Sequence, residues 1–309
     1  MSHRERALLG QIGDVDLRLV RIFCTVADCG GIAAAELKLN IDLSTITRHI
    51  KDLETRLGLV LCRRGRAGFA LTPDGARVYA AAQQLLHAVE TFRTEVLDTG
   101  RTLEGTLHLA LFEKTVTHPE SRIAAAIARF HALAPAVTLH LHVNDITSIE
   151  QGVMDGQFHL GVIPEHRRSE RLAYHEMFEE TMLLYAAPGH PWYESAAAPR
   201  NWPDLSGQQL AGLDYHSPNM ELAATRRLSY SATASDQEGI AHLILSGSFL
   251  GFLPAHYAAV FVAGQQLRPV QPADLRYTCR YAAIHRKSPP PLRVAQVFLE
   301  CLLARGGQA

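Results

Sequence analysis

Leu17, Val20, Ile22, Phe23 and Val26 recur at helical spacing, and Gly30-Gly31 marks where that first helix stops. A short second helix is predicted from Ile32 to Leu37, followed by a turn at Asn40-Ile41-Asp42. Asp42 is a suitable N-cap for a third helix running to about Leu57. In that helix Ile46, Ile50, Leu53 and Leu57 form an apolar stripe, and Thr45, Arg48, His49 and Lys51 fall toward the other faces. Gly58 is placed to end it. Leu59 to Leu71 then predicts two short strands around the basic, glycine-containing tip Arg63-Arg64-Gly65-Arg66-Ala67-Gly68. Two helices, a turn, a third helix and a basic hairpin make the order of a winged helix-turn-helix.

Thr72-Pro73-Asp74-Gly75 opens a further helix, with Thr72 as cap and Pro73 in the first turn. It is predicted to run to about Asp98, with Val78, Leu85, Leu86, Val89, Phe92 and Val96 available for packing. Such a stripe calls for a partner helix, most simply that of a second copy. A break at Gly100–Gly105 follows. Beyond it, apolar strands at Leu107–Phe112, Thr138–Val143 and His159–Ile163 alternate with helices, which predicts a largely parallel sheet. A second series spans about Glu165 to Val262 and includes strands at Thr181–Ala187 and Phe249–Pro254. The final segments, Arg276–His285 and Leu292–Leu303, return to the first series. The expected class is therefore α/β. A winged domain over 14–72 and a linker or dimerisation helix over 73–99 precede a two-lobed domain over 106–309. Lobe 1 takes about 106–163 and 268–309, and lobe 2 takes about 165–265.

The chain has 309 residues, of which 47% are hydrophobic and 20% charged, a globular profile with room for more than one core. No apolar run reaches the roughly 18 residues of a membrane span, and Met1–Asp14 has no signal-peptide core, so a cytoplasmic protein is expected. Its five cysteines make no CxxC pair, which suits reduced, buried thiols better than a redox switch. A net charge of −1 hides a local imbalance: Leu43–Arg66 holds six basic residues against two acidic ones. A basic stripe on a near-neutral chain is the footprint of a small DNA-binding module joined to something else, or else a solvated helix face.

Specific motifs turn this pattern into a resemblance. They are the glycine pair before the second helix, Ser44-Thr45-Ile46-Thr47-Arg48-His49-Ile50-Lys51-Asp52-Leu53-Glu54, Leu57-Gly58-Leu59, Arg63-Arg64-Gly65 and Leu71-Thr72-Pro73-Asp74-Gly75. In this order, Leu17–Gln84 resembles the DNA-binding domain of LysR-type transcriptional regulators. Met154–Ile163 and Gly251-Phe252-Leu253-Pro254 resemble that family's two-lobed, periplasmic-binding-protein-like effector domain. The resemblance implies a small-molecule-responsive regulator, not an enzyme. It would bind a pseudo-palindromic operator as dimers that join into tetramers, with RNA polymerase as a further partner if it activates. The chain departs from the family where many members carry Gln-Pro at the start of the recognition helix, for it has Leu43-Ser44. Leucine cannot pair with a base edge but can touch a thymine methyl.

The candidate DNA contacts are Ser44, Thr45 and Thr47, short enough to approach bases, with Arg48, His49 and Lys51 reaching further and Arg63, Arg64 and Arg66 on the wing. For each, the ordinary alternative is an exposed polar side chain. The candidate effector contacts are Thr115, Thr117, Thr147, Ser148, His216, Ser217, Ser235 and Phe249, all at expected strand ends or helix starts. Three Ser/Thr-x-x-Glu patterns, Thr117…Glu120, Thr147…Glu150 and Ser235…Glu238, read as capping boxes. Helix starts favour anions, and Lys114 adds to that. Yet Glu113, Glu120, Asp145, Glu150, Asp236 and Glu238 crowd the same junctions and favour an effector with a polar or cationic portion, such as an amino-acid-like compound. His140 and His142 share a strand face but lack an evident third ligand, so half-buried structural histidines are favoured over a metal site. Neither metal nor cofactor is expected. No GxSxG, Walker, HExxH or GxGxxG pattern occurs to support enzyme chemistry. An exported binding protein would have no use for residues 17–72, and an architectural DNA binder none for the two lobes.

Overall fold

The computed structural model describes residues 12–65, 68–97, 103–195, 198, 200–215, 217–271 and 273–304. The chain forms two compact units, Met1–Arg93 and Thr94–Ala309.

The first unit contains α1 (Asp14–Asp28), α2 (Ile32–Leu39), α3 (Leu43–Leu57), the antiparallel hairpin β1 (Cys62–Gly65) and β2 (Gly68–Leu71), and the start of α4 (Pro73–Leu97). Its core follows most of the predicted stripes: Phe23 and Val26 of α1 pack with Ile46, Ile50 and Leu53 of α3, but Leu19, outside the expected stripe, is buried with them while Leu17 and Val20 are only half-buried. Gly30 and Gly58 take the left-handed backbone, φ 68° and 64°, that ends α1 and α3 without a Cβ clash. The start of α3 differs from expectation. Asp42 stands at the N-cap but its side chain makes no capping bond; the N–H of Leu43 is held by Glu36 Oε1 of α2 at 3.1 Å. Asp16 of α1, 2% exposed, takes two bonds from Arg56 of α3, at 2.5 and 3.2 Å. The Arg56 bonds, helped by the Gly13 N–H, hold its carboxyl below the usual range. Glu54 Oε1 accepts the N–H of Leu61 at 2.8 Å, fixing the wing to α3. Thr72 caps α4 as expected, accepting the Gly75 N–H at 2.8 Å.

In the second unit β3 (Gly105–Leu111), a 3-10 turn (Thr115–Thr117), α5 (Ile123–Leu133), β4 (Val137–Val143), α6 (Ile146–Met154) and β5 (Leu160–Pro164) form the first lobe's βαβ series. After β6 (Leu172–Ala186) come α7 (Pro191–Glu194), a 3-10 turn (Trp202–Leu205), β7 (Leu210–Leu213), α8 (Pro218–Arg226), β8 (Ala232–Ala234), α9 (Gln237–Leu245), β9 (Leu250–Pro254) and α10 (Ala255–Ala263). Then β10 (Arg268–Pro269) and β11 (Arg276–Arg286) lead to α11 (Arg293–Leu303). The strands join into one sheet of order β4-β3-β5-β11-β6-β9-β7-β8, with β10 also on β6. Within each lobe the strands are parallel, as in β3 with β4 and β5 and in β7 with β8 and β9.

The lobes meet at the antiparallel pair β6 and β11. One end of β11 lies against β5, while the far end of β6 lies against β9. Their register shifts between Tyr281 and Ala282, so a β-bulge marks the middle of the crossing. The strand expected at Thr181–Ala187 thus begins nine residues earlier, at Leu172. Its first half alternates weakly because Tyr174 and His175 are only partly covered while Glu176 is exposed.

Candidate functional site

In the first unit α3 presents Ser44, Arg48 and Lys51 on one exposed stripe, at i, i+4 and i+7, with Thr45 and Thr47 half-buried at its sides. His49 is a correction. It is 8% exposed, its Nδ1 has no hydrogen-bond partner among the described residues, and burial with neighbouring Arg18 and Arg48 pushes its pKa down. Position 49 is one residue round from Arg48, on the side of α3 beside Arg18 and Leu19 of α1 and toward the core face holding Ile46 and Leu53. Arg63 is exposed on β1, and Arg64 lies on the same strand. Arg66, at the wing tip, lies outside the described residues.

In the second unit a cavity of about 310 Å³ opens between the lobes, lined by Phe112, Glu113, Asn144 and Asp145 from lobe 1 and by Tyr215, Ser235 and Asp236 from lobe 2. A narrower recess, also against Phe112, is lined by Pro164, Glu180, Ser217, Gln237 and Tyr281. The polar atoms here do not follow the predicted capping boxes. Asp145, not Thr147, caps α6, its Oδ1 accepting the Ser148 N–H at 2.9 Å. Asp236, not Ser235, caps α9, accepting the Gly239 N–H at 2.7 Å. Thr117 caps no α-helix: α5 starts only at Ile123, and the Thr117 hydroxyl bonds the Lys114 carbonyl at 3.0 Å and His256 Nδ1 at 2.7 Å. In the first two cases a neighbouring aspartate wins because a carboxylate accepts an N–H more strongly than a hydroxyl does.

The acidic groups therefore sit at the helix starts themselves. Glu113 of lobe 1 accepts the backbone N–H of Gln237, the first residue of α9, at 2.7 Å, so a carboxylate of the protein already occupies that helix end. Burial raises its pKa despite the bond and the nearby Lys114. Lys114 is held by Glu238 at 3.3 Å and Glu113 at 3.6 Å and lies 5.0 Å from the centre of the Tyr257 ring, so its charge is spoken for. The Tyr215 hydroxyl is buried with no partner among the described residues, and burial together with Glu113, Asp145 and Asp236 pushes its pKa up. The Gln237 side-chain oxygen is likewise buried and unpartnered.

Of the residues expected to line the cleft, Ser235 and Ser217 do so, the latter 1% exposed. Thr115 is buried in the 3-10 turn, Thr147 is exposed in the first turn of α6, and Ser148 is engaged by Asp145. Phe249 packs against the lobe 2 core instead. His216 lies outside the described residues. Tyr215, Gln237, Glu180 and Tyr281 escaped the sequence reading; no motif links them, and only chain crossing brings them together.

Glu180, 3% exposed, joins these elements: its Oε1 is 2.7 Å from His256 Nε2 of α10, and its Oε2 accepts from the Tyr281 hydroxyl at 3.3 Å. Histidines pair elsewhere too. Diagonal neighbours on paired strands bring His108 and His142 together, ring nitrogens 3.2 Å apart, and His175 and His285, 3.1 Å apart. Among the described residues no group of three or more His, Cys, Asp or Glu is arranged to hold a metal ion. Among the same residues, no helix is long and apolar enough to cross a membrane.

Burial lowers the pKa of His118, His142, His175 and His190, with the neighbouring cation or ring as a second cause in each. As pH falls through about 6.5 the unfolded chain takes up protons that these folded rings refuse, so stability is full above that value and declines below it. The second unit's melting temperature is expected to drop between pH 7 and 5.5, with protons taken up on unfolding. Calorimetry over that range checks this; a flat profile would contradict it.

Residues 17–76 match the family model described as bacterial regulatory helix-turn-helix protein, lysR family, and residues 100–307 match the LysR substrate binding domain. The chain is 40% identical to the HTH-type transcriptional activator BauR of Pseudomonas aeruginosa over 307 residues, covering 98% of this chain and 99% of that one. It is 28% identical over 201 residues to the probable HTH-type transcriptional regulator LrrA of Synechococcus elongatus, covering 65% and 66%. The fold is similar to full-length CbnR complexed with its target DNA, with a TM-score of 0.64 at 20% identity over 93% of this chain and 98% of that one. It is also similar to a full-length OxyR variant from Pseudomonas aeruginosa, with a TM-score of 0.59 at 20% identity over 94% and 95%. The chain belongs to the LysR family: it is a transcriptional regulator and not an enzyme, joining a helix-turn-helix that binds DNA to a domain that binds a small-molecule effector.

Proposed function

We propose that the effector is a small molecule bearing a cationic amino group, amino-acid-like in character, bound between the lobes. The observation that carries this is the convergence of Glu113, Asp145 and Asp236 on one cavity, with Glu113 already filling the end of α9. A simple dicarboxylate would meet like charge there and find the helix donors taken. An ammonium group would instead find carboxylate acceptors, with the Tyr215 hydroxyl free to bond a polar part of the ligand. Binding would also favour the charged form of Glu113, offsetting the burial that opposes it. A ligand that prefers one lobe arrangement shifts the population toward it and so changes the spacing of DNA-reading helices in the assembly.

On the DNA side, Ser44, Thr45, Thr47, Arg48 and Lys51 of α3 would face the major groove and Arg63, Arg64 and Arg66 the flanking backbone, on a pseudo-palindromic site bound by a dimer or tetramer. The protein would work in the cytoplasm. The 40%-identical relative is a transcriptional activator, which supports activation here, with RNA polymerase as a further partner.

A thermal-shift screen of amino acids, diamines and dicarboxylates on the full chain tests the effector reading. Amino compounds are expected to raise the melting temperature, and Glu113→Gln to weaken the best of them about 10- to 100-fold, the worth of one charge-assisted bond. Stabilisation by dicarboxylates alone, or an unchanged amine affinity in Glu113→Gln, would reject it.

A further inference from the structure

Leu43 is the first residue of α3 and is 43% exposed. Its backbone is not loose, since Glu36 holds its N–H from α2. The apolar side chain is thus presented at the start of the helix, five residues before exposed Arg48 and eight before Lys51. The N-terminal residues of a recognition helix lie against base edges, whereas the preceding helix crosses the backbone. That separates Leu43 from Leu37, which is more exposed but sits within α2. A leucine there can make no hydrogen bond, and the one apolar group on the floor of the major groove is the C5-methyl of thymine.

We infer that Leu43 reads a thymine methyl at one position in each operator half-site. Selectivity at that position then comes from the methyl alone, so 5-methylcytosine is accepted better than cytosine, and uracil is bound worse than thymine. The inference rests on α3 being the DNA-reading helix. Thr47, one turn on, carries the competing methyl group.

The test uses the full chain and an operator mapped by genome-wide footprinting. Each thymine of the site is replaced singly by deoxyuridine, which removes one methyl and leaves every hydrogen bond. The wild type should lose about fourfold in affinity at one thymine per half-site, the worth of one buried methyl. Leu43→Ala and Leu43→Gln, both with unchanged melting temperature, should bind thymine and uracil there alike. Leu43→Met should keep the preference. The absence of any uracil-sensitive thymine in the wild type overturns the inference. So does a uracil penalty that survives in either Leu43→Ala or Leu43→Gln but vanishes in Thr47→Ser. Arg48→Ala separates this from the reading beneath it, for it should lose about 5- to 150-fold in operator affinity. Full operator affinity in Arg48→Ala would reject α3 as the reading helix, whereas a thymine scan without effect rejects only the role of Leu43.

Discussion

Gly75→Ala is expected to destabilise the N-terminal unit by about 3 kcal/mol or more, at the upper end of overpacking effects. The glycine lies in the first turn of α4, in an ordinary helical conformation, so the requirement is one of space. A Cβ added there would stand 1.8 Å from the carbonyl oxygen of Leu61 and 2.8 Å from its carbonyl carbon. Those atoms cannot step aside, because the same carbonyl accepts the N–H of Thr72 at 3.0 Å and the wing beyond it is tied to Glu54. Leu61 itself is fully buried in the core of the unit. The clash therefore opens either the base of the wing or the cap of α4. For a unit of this size the loss corresponds to a fall in melting temperature of about 12 °C or more. Calorimetry should show that transition displaced while the transition of the second unit stays in place, and operator binding should be lost with it. Asp74→Ala, at the neighbouring exposed position, is the control. A shift of less than about 4 °C in Gly75→Ala would mean that the wing base yields far more easily than its bonding indicates.

The double variant Leu86→Glu, Val89→Glu is expected to be monomeric and to bind its operator at least about 100-fold more weakly, since it keeps only one half-site's contacts. On α4 the side facing its own unit is settled: Ala82 is 5% exposed, and Val78 and Tyr79 pack on the core. Leu85, Leu86 and Val89 are left half-exposed, and Phe92 is 68% exposed. We expect a two-fold copy of the same helix to cover that apolar stripe. Glutamates in such a seam would be desolvated without partners, a penalty of several kcal/mol per pair. Within the single unit they remain at half-exposed positions, so circular dichroism and melting of the unit should be unchanged. Sedimentation decides the matter. A wild type that is monomeric at micromolar concentration, or a variant that stays dimeric, would remove α4 as the seam.

Much of the first unit was legible in the chain because its signals are local. The stripe Ile46, Ile50 and Leu53, the stops at Gly30 and Gly58 and the Thr72 cap each depend on neighbours within a turn, where helical period and backbone sterics leave little choice. The motif order that marks the family is local in the same sense, and so is the alternation of strands and helices that announces an α/β domain. His49 shows the limit even there, since one residue of rotation decides between solvent and the α1 seam. In the second unit, pattern could name acidic residues near the helix starts, yet it could not choose among them. Asp145 and Asp236, not Thr147 and Ser235, became the caps through competition between adjacent acceptors. The strand β6 was half hidden because its first part is covered on neither face strongly enough to alternate. What only the tertiary structure decided is which distant residues meet. Glu113 reaches Gln237 across 124 positions, Glu180 meets His256 and Tyr281, and His108 meets His142. Such meetings are set by strand order and by the crossing of β6 and β11, and no local period in the chain encodes them.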